Sequence, residues 1–497
     1  MVAKNKVEEV ESVIYKFSGG FEGRDSSTEK DQRVVNMLVE TVNPQRKVLV
    51  KRPGISEHLN TDAGTVRGMF YWNGSLWSVI GDVLYQDDAA SGTTLTTTTG
   101  YIGYTQCTSS GVTQMFFCDG TDGYLIDSSD VVTQIADADF PSPHVPTPVF
   151  IDGYVCLPSA SSADIYNCDL DDPTSWTTSN YITSELYPDN VIALARQNNQ
   201  IVAFGQNGVE FFYNNGANQP TGTPLARNPQ AFLQFGSCAP YAIGQNERYC
   251  FFISQSSSGG RAVWKLDGFS PEKISTSFVE RILDSDGDNI GEANGYLVRV
   301  AGHFLFVIRL TDRTLVYDVE EKVWSEWTSS FLNIPTDSAI NGYVINSQTI
   351  NGVAVWNSII TSENFSWMFA SDAGDGRVYF IQKDTGVIGR MTPDVYRDIG
   401  DSIRCEVSTP LLDFGSYKRK TFIRATLVGD SAENYIYFKW TDDDYRSWSS
   451  ARILNMSVRP VVHKLGTSRR RAFSLYYTDN YPIRLEGIDF LYYENLT

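Results

Sequence analysis

Residues 66–88 read VRGMFYWNGSLWSVIGDVLYQDD, and the organisation of the whole chain can be worked out from this segment. An apolar run turns at Asn73-Gly74, a second apolar run turns at Gly81-Asp82, and an aromatic run follows. Asn-Gly supplies the positive φ values that a two-residue hairpin requires. Short β-branched and aromatic runs between such turns predict antiparallel strands.

This strand-turn-strand unit recurs about seven times along the chain. Its copies begin at Val66, Tyr104, Val145, Val191, Tyr241, Tyr296 and near Trp367. Most starts lie roughly 40 to 55 residues apart, which is the spacing of four-stranded propeller blades. One such meander exposes two apolar faces, so neighbouring blades must stack and close a ring. The sequence therefore predicts an all-β fold with a β-propeller of about six or seven blades.

The two ends of the chain lie outside this pattern. Residues 31–55 read as strand, Asn-Pro turn and strand, and the segments beyond Gly400 alternate at period two. We therefore predict N-terminal strands within residues 1–65, a propeller over 66–399 and a C-terminal β-sandwich over 400–497. Only EEVESVIYKF (8–17) and SFVERIL (277–283) suggest a helical turn or two.

Charge is distributed unevenly along the 497 residues, whose net charge is −19. The first 399 residues hold 26 basic and 47 acidic side chains, whereas residues 400–497 hold 14 and 12. An acidic surface repels phosphate, so sequence-specific binding of nucleic acid is disfavoured. The C-terminal part is predicted to present a different surface.

Seven cysteines, an odd number without any CxxC motif, predict reduced and buried thiols made in a cytosolic compartment. The first residues contain no apolar run of signal-peptide length, and no stretch approaches ~20 apolar residues. The sequence thus predicts neither secretion nor a membrane-spanning segment.

A search for catalytic motifs finds no P-loop, HExxH or GxSxG string, and the four histidines stand apart in the sequence. Residues 284–288 (DSDGD) resemble the opening of a calcium loop, but Asn289 and Gly295 occupy the positions of its Gly and Glu. TDDDYRSW (441–448) resembles an Asp box with Tyr445 in place of Gly. We therefore predict no catalytic, cofactor-binding or metal-binding residues.

Two basic clusters stand out in the C-terminal part. They are Lys418-Arg419-Lys420 and Arg469-Arg470-Arg471. Such clusters are most often solvated loops. Because complementary charge fixes register across repeated interfaces, we also predict that these six residues contact an acidic neighbouring subunit.

The order of several short strings along the chain resembles the tail nozzle or hub proteins of short-tailed bacteriophages, also called packaged-DNA stabilisation proteins. These strings are VNMLVE (35–40), KRPGI (51–55), SE (184–185), PD (188–189), VEFFY (209–213), FGSCAP (235–240), FFIS (251–254), IST (274–276) and the two basic clusters.

The resemblance implies a structural virion protein without catalytic residues, made in the host cytoplasm and placed in the phage tail. It implies a homo-hexameric ring below the portal and adaptor ring, with tail fibres or tailspikes at its side. Packaged DNA would be retained by this ring and would pass through its channel at ejection. An acidic balance suits such a conduit, because a channel that releases DNA should not bind phosphates.

Two other classes of protein remain open from the sequence. A propeller-based tail protein that binds or cleaves glycans would need paired carboxylates facing one cleft. A monomeric scaffold of the WD or kelch kind would show repeated Gly-His and Trp-Asp signatures, which this sequence lacks.

Overall fold

The computed structural model describes residues 10–17, 33–43, 46–216, 222–255, 260–329, 345–350, 353–359, 365, 367–372, 376–431 and 434–495. They form two compact units. We call residues 57–311 and 367–390 the propeller unit, and residues 1–56, 312–366 and 391–497 the sandwich unit. The predicted all-β class is confirmed, because strands dominate both units.

The N-terminal part of the chain forms five strands: β1 (Val10–Lys16), β2 (Arg33–Val35), β3 (Met37–Asn43), β4 (Arg46–Lys51) and β5 (Gly54–Asn60). The helical turn suggested for residues 8–17 is wrong where the structure describes them. Residues 10–16 instead pair antiparallel with residues 487–493. Hydrogen bonds to a strand more than 450 residues away in the sequence decide their conformation, and no local pattern contains that information.

Residues 66–273 form the first five blades, each an antiparallel sheet. Their strands are β6 (Val66–Trp72), β7 (Ser75–Ile80), β8 (Val83–Gln86), β9 (Ala89–Thr94), β10 (Gly103–Ser109), β11 (Val112–Cys118), β12 (Gly123–Ile126), β13 (Val132–Gln134), β14 (Val149–Ile151), β15 (Tyr154–Pro158), β16 (Asp164–Asp169), β17 (Asp172–Thr183), β18 (Ala193–Gln197), β19 (Gln200–Phe204), β20 (Val209–Asn214), β21 (Leu225–Leu233), β22 (Gly236–Ser237), β23 (Gly244–Gln245), β24 (Tyr249–Gln255), β25 (Arg261–Asp267) and β26 (Ser270–Lys273).

A short helical segment follows the fifth blade. It consists of α1 (Ser277–Ser285) and a 3-10 helix (Gly287–Glu292). The Thr276 side chain caps α1 by accepting a hydrogen bond from the backbone N–H of Val279. The apolar side chains at 278, 279, 282 and 283 are buried, so the helical turn predicted for residues 277–283 is confirmed.

The next strands in chain order complete the ring and begin the second unit. They are β27 (Asn294–Val300), β28 (His303–Arg309), β29 (Thr314–Asp318), β30 (Val323–Trp327), β31 (Ile345–Ile350), β32 (Val353–Ile359), β33 (Trp367–Asp372), β34 (Val378–Gln382) and β35 (Val387–Thr392). β31 and β32 form a hairpin of their own. In the seventh blade the strand order is β33-β34-β35-β5, so the N-terminal part of the chain supplies one of its strands.

Seven innermost strands line the propeller axis in the described residues: β6, β10, β14, β18, β23, β27 and β33. The last of them, β33, contacts the first, β6, which closes the ring. Each of the seven repeat starts predicted from the sequence falls within about four residues of one of these strands. The prediction of a propeller is therefore confirmed, with seven blades.

Apolar layers between neighbouring blades hold the ring together. Phe70 and Trp77 of the first blade lie in one buried cluster with Phe117 and Tyr124 of the second. Comparable clusters join the second blade to the third, the third to the fourth and the fourth to the fifth. Each layer removes two exposed sheet faces from water, as expected of a repeat that cannot fold alone.

The C-terminal part adds nine strands: β36 (Arg397–Asp398), β37 (Asp401–Ser402), β38 (Cys405–Ser408), β39 (Lys420–Gly429), β40 (Tyr435–Thr441), β41 (Arg452–Asn455), β42 (Val461–Ser468), β43 (Ala472–Tyr477) and β44 (Arg484–Glu494). One sheet of the sandwich unit, which we call the β44 sheet, has the order β3-β4-β44-β39-β42, with β1 also paired to β44. The strands that the sandwich unit contributes to a second sheet have the order β29-β30-β2-β38-β43-β40-β41.

One buried cluster joins these two sheets into a sandwich, since it contains Phe422 and Phe490 of the β44 sheet and Phe438 and Leu475 of the second. N-terminal residues such as Leu49 belong to the same core. The predicted boundaries at residues 65 and 400 stay predictions. Strands from both ends of the chain build this one unit.

Two further sequence expectations concern cysteines and membranes. All seven cysteines are free, and six of them are buried, with Cys238 half-buried. Across the part of the chain that the structure describes, no helix has the length and apolar character needed to cross a membrane.

Candidate functional site

The two basic clusters lie at the same end of the β44 sheet. Lys420 begins β39 and pairs in register with Ser468, the last residue of β42. Lys418 and Arg419, just before β39, therefore lie at the same end of the sheet as Arg469 and Arg470, just after β42. We call these four exposed or partly exposed residues the basic rim. The sequence placed the two clusters about 50 residues apart, and strand pairing brings them together.

The remaining members of the two clusters, Lys420 and Arg471, are buried. Arg471 Nε and Nη2 donate to the two carboxylate oxygens of Asp442 over 2.6 and 2.7 Å, and its guanidinium lies over the Phe422 ring. Lys420 Nζ donates to the backbone carbonyls of Ser416 and Lys418. Because these charges are used inside the sandwich unit, they offer a neighbouring subunit no exposed cation.

Two of the four side chains of the basic rim are paired with carboxylates. Lys418 Nζ donates to Glu494 over 2.9 Å, and this hydrogen bond raises the pKa of Lys418. Arg470 Nη2 donates to Asp444 over 2.6 Å. Arg419 and Arg469 are exposed and make no side-chain hydrogen bond with any described residue. Two guanidinium groups at this end of the sheet are thus available to an acidic partner.

The turn that resembles an Asp box is a structural element next to the basic rim. Asp443 accepts hydrogen bonds from the Ser447 side chain and backbone N–H and from the Thr441 side chain, which lower its pKa to about 2. Tyr445 has a positive φ of 65°, as expected at the position where the motif wants Gly. The tyrosine hydroxyl donates to the carbonyl of Thr409 over 2.9 Å. These contacts stabilise the turn and attach it to the backbone at Thr409.

A buried polar cluster around Arg52, which the sequence reasoning missed, joins three distant segments of the sandwich unit. Arg52 is fully buried and donates to both carboxylate oxygens of Asp398, over 3.1 and 2.6 Å. Arg52 Nε also donates to the Asn36 side-chain oxygen over 2.9 Å. The Asn36 amide nitrogen donates to Thr328 Oγ1 over 2.7 Å. Asn36 and Arg52 lie in the segments VNMLVE and KRPGI, which resemble the phage tail family. That resemblance was the sequence signal that could have drawn attention to them.

A second charged cluster surrounds Glu406 in the same unit. Arg404 Nη2 and Ser474 Oγ donate to its carboxylate over 2.8 and 3.1 Å, and Lys439 lies 4.0 Å away. Burial alone would raise the pKa of Glu406. The positive charges of Arg404, Lys439 and Arg33 outweigh that effect and lower the pKa to about 2.

An aromatic contact crosses the axis of the propeller unit. Tyr101 lies two residues before the innermost strand of the second blade, and Tyr241 lies three residues before that of the fifth. Their rings stack with centroids 3.8 Å apart, and Phe369 of the seventh blade packs edge-on against Tyr101. The Tyr101 hydroxyl donates to the carbonyl of Glu292 over 2.9 Å. These blades are not neighbours in the ring, so the stack spans the axis.

The acidic turn at residues 284–288 takes part in local hydrogen bonds. Asp284 accepts from the backbone N–H of Arg261 over 3.2 Å, and Asp286 from that of Thr311 over 3.3 Å. In the described residues, no group of three or more His, Cys, Asp or Glu side chains is arranged to hold a metal ion.

The four histidines occupy separate places in the structure. His144 is buried; its Nε2 accepts from the backbone N–H of Gly120, which leaves Nδ1 to donate to the carbonyl of Pro141 over 2.8 Å. Burial lowers the pKa of His144. His58 packs against the Tyr379 ring, His303 is buried and His463 is exposed.

Comparisons with known proteins agree with this fold. A family model described as the bacteriophage P22 Gp10 β-propeller matches residues 21–354. The tail hub protein gp10 of Salmonella phage P22 is 26% identical over 136 residues, which are 27% of this chain and 29% of that protein. This alignment thus spans less than a third of the length of the curated relative.

Solved structures resemble this chain only weakly. A streptogramin B lyase is 12% identical with a TM-score of 0.37, covering 69% of this chain and 97% of that one. The N-terminal domain of Nup159 is 10% identical with a TM-score of 0.37, covering 72% and 98%. Structural similarities with TM-scores this low support no conclusion about function.

Proposed function

The chain belongs to the family of the bacteriophage P22 Gp10 β-propeller, and from this membership we propose that it is a structural subunit of a phage tail hub, or nozzle. The observation that carries the proposal is the match of the family model to residues 21–354, a range that contains six of the seven innermost strands. The 26% identity to the P22 tail hub protein supports the same role.

We propose that six copies form a ring below the portal and adaptor ring, with tail fibres or tailspikes at its side. This ring closes the portal vertex, retains the packaged DNA and passes it at ejection. The acidic balance of the first 399 residues supports a conduit that does not hold DNA by its phosphates. Sequence-specific contacts with DNA are not part of this role.

The sandwich unit is proposed as the ring-building platform. It contains the two ends of the chain and the basic rim, where Arg419 and Arg469 are exposed. Opposite charges at repeated contacts between copies fix their register. Of the six predicted interface residues, we retain the four of the basic rim, because Lys420 and Arg471 are buried.

A structural role is also favoured over a catalytic one. Asp442, Asp443 and Asp444 are hydrogen-bonded to Arg471, Ser447 and Arg470 within the sandwich unit. A site that cleaves glycans would need two carboxylates facing one cleft, whereas these three carboxylates serve contacts within the unit.

The proposal is tested by native mass spectrometry and negative-stain imaging of the full-length chain, alone and mixed with a portal ring. We expect hexameric rings with a central channel. The double variant Arg419→Glu/Arg469→Glu should weaken assembly, because like charges would then face the acidic neighbour. The matched control is Arg248→Glu, which changes an exposed arginine of the propeller unit in the same way.

Two results would contradict the proposal in different ways. A chain that stays monomeric both alone and with the portal ring is not a ring-building hub subunit. Hexamers that form equally well with the double variant would show that the basic rim does not contribute to the ring.

A further inference from the structure

Side chains cover two edges of the β44 sheet. At β3, the backbone N–H and the hydroxyl of Thr41 donate to the Glu321 carboxylate over 3.1 and 2.6 Å. At β42, the Arg452 guanidinium donates to the backbone carbonyls of His463 and Lys464. Folded proteins cover sheet edges in this way to stop other chains from pairing with them.

The edge at β1 is different. The Phe17 N–H donates to the carbonyl of Glu486. Because the N–H groups of an antiparallel strand alternate in direction, every second residue counted back from Phe17 also directs its N–H group towards β44. Ser12 and Ile14 lie between those residues, so their N–H groups point away from the sheet. Within the described ranges, β44 is the one strand that pairs with β1. Among the described residues, the backbone donors and acceptors on this side of β1 therefore pair with no further strand.

Apolar side chains flank the open edge. Val10 is 54% exposed and Ile14 is 56% exposed, although both are large hydrophobic residues. Ile14 also lines a cleft of about 410 Å³, together with Thr426 and Val458, the latter 62% exposed. Thr426 is 2% exposed, and its hydroxyl has no hydrogen-bond partner in the structure. The cleft thus offers an incoming side chain both apolar groups, such as Ile14 and Val458, and charged groups, such as Arg459.

We propose that the open edge of β1 takes a strand from a second copy of this chain, with a side chain of that copy in the adjacent cleft. This inference rests on the proposed ring and identifies one of its contacts. The strand has to come from a different surface of the neighbouring copy. Pairing of β1 with itself would close a two-fold dimer rather than a ring.

Charge and size favour a second copy over an unrelated short peptide. The start of β1 lies at the same end of the sheet as the basic rim, since Val10 pairs with Tyr493 and Lys420 with Glu494. A second copy brings the acidic surface that complements this rim, because its first 399 residues hold 47 acidic and 26 basic side chains. A stable interface buries about 800 Å² per partner, which a strand about 23 Å long cannot supply without such neighbouring contacts.

The sharpest test removes one outward-pointing donor. Ile14→Pro deletes the N–H that faces the open edge, and proline is tolerated on edge strands in this orientation. Ile14→Ala is the matched control, since it keeps the N–H and shortens the side chain. We expect Ile14→Pro to need at least tenfold more protein than the wild type to form hexamers in native mass spectrometry, and Ile14→Ala to lie between the two.

Hydrogen exchange of the wild-type chain provides a readout that does not depend on a variant. Amides of residues 10–16 should exchange more slowly in the hexamer than in the monomer, whereas those of β3 should not change. Hexamers that survive in a folded Ile14→Pro variant, together with unchanged exchange in β1, overturn the β1 contact and leave the hub assignment intact. A wild-type chain that never assembles overturns both.

Discussion

The propeller unit and the sandwich unit are held together by different kinds of buried contact. Between the blades, aromatic side chains such as Phe70 and Phe117 pack in apolar layers that recur around the ring. In the sandwich unit, Arg52 and Asp398 form a buried bidentate ion pair between two of its separate segments. Arg471 and Asp442 form a second, partly buried bidentate pair within the C-terminal segment.

This difference follows from which segments of the chain make up each unit. Neighbouring blades are consecutive in sequence, so nondirectional apolar burial is enough to stack them. The sandwich unit combines three separate segments, and apolar burial alone would leave the alignment of those segments weakly specified. We expect the hydrogen-bonded ion pairs to fix that alignment, because their geometry tolerates only one register.

The largest expected effect is in the Arg52 cluster. Asp398→Ala leaves the fully buried Arg52 without its carboxylate, and we expect it to lower the free energy of unfolding of the sandwich unit by about 3–5 kcal/mol. Urea unfolding of the full-length chain, followed by hydrogen exchange of each unit, measures this loss. Asp401→Ala, which changes an exposed carboxylate three residues away, is the control. Equal effects of the two variants would show that the sandwich unit does not depend on the Arg52–Asp398 ion pair.

A pH-dependent loss of stability of the sandwich unit should come next in size. The pKa of Glu406 is lowered from 4.5 to about 2 in the folded chain, so its contribution is present above about pH 4.5 and is lost as the pH falls towards 2. We expect a loss on the order of 3 kcal/mol over that range. Unfolding midpoints measured from pH 6 down to pH 2 test this.

Glu406→Gln provides the control for the pH profile, because it removes the titrating group and keeps a similar shape. Its profile should be flatter than that of the wild type over the same range. A variant profile as steep as the wild-type one would assign the acid sensitivity to other carboxylates.

A smaller effect is expected from the stack across the propeller axis. A double-mutant cycle of Tyr101→Ala and Tyr241→Ala should give a coupling energy of about 0.5–1.5 kcal/mol, the usual size for an aromatic pair. Hydrogen exchange of the innermost strands measures it. Tyr213→Ala, at an exposed position on the fourth blade, is paired with Tyr101→Ala as the uncoupled control. Coupling of the same size in the control pair would argue against a brace across the axis.

The smallest effect should come from an ion pair on the propeller surface. Arg248 and Asp267 are 67% and 42% exposed, so water and salt screen their attraction. We expect Asp267→Ala to leave the unfolding midpoint unchanged within experimental error. A clear loss would show that the propeller unit, too, depends on charge pairs.

The propeller could be predicted from the sequence because its signal is local and repeated. Each hairpin needs alternating apolar residues and a turn such as Asn73-Gly74, which lie within a few residues of each other. The same reasoning identified α1, whose cap and apolar face are also local. It was wrong for β1, where pairing with β44 overrides the local pattern of residues 8–17.

The candidate site was predictable only in part. The sequence alone determined that basic residues cluster at 418–420 and 469–471, and that repeated hairpins must stack, because composition and periodicity are properties of the chain itself. Tertiary structure decided that the clusters share one end of a sheet, that Arg471 is buried against Asp442, and that Arg52 meets a carboxylate 346 residues away. Such contacts depend on which strands pair across long loops, and that choice is made by the folded chain as a whole.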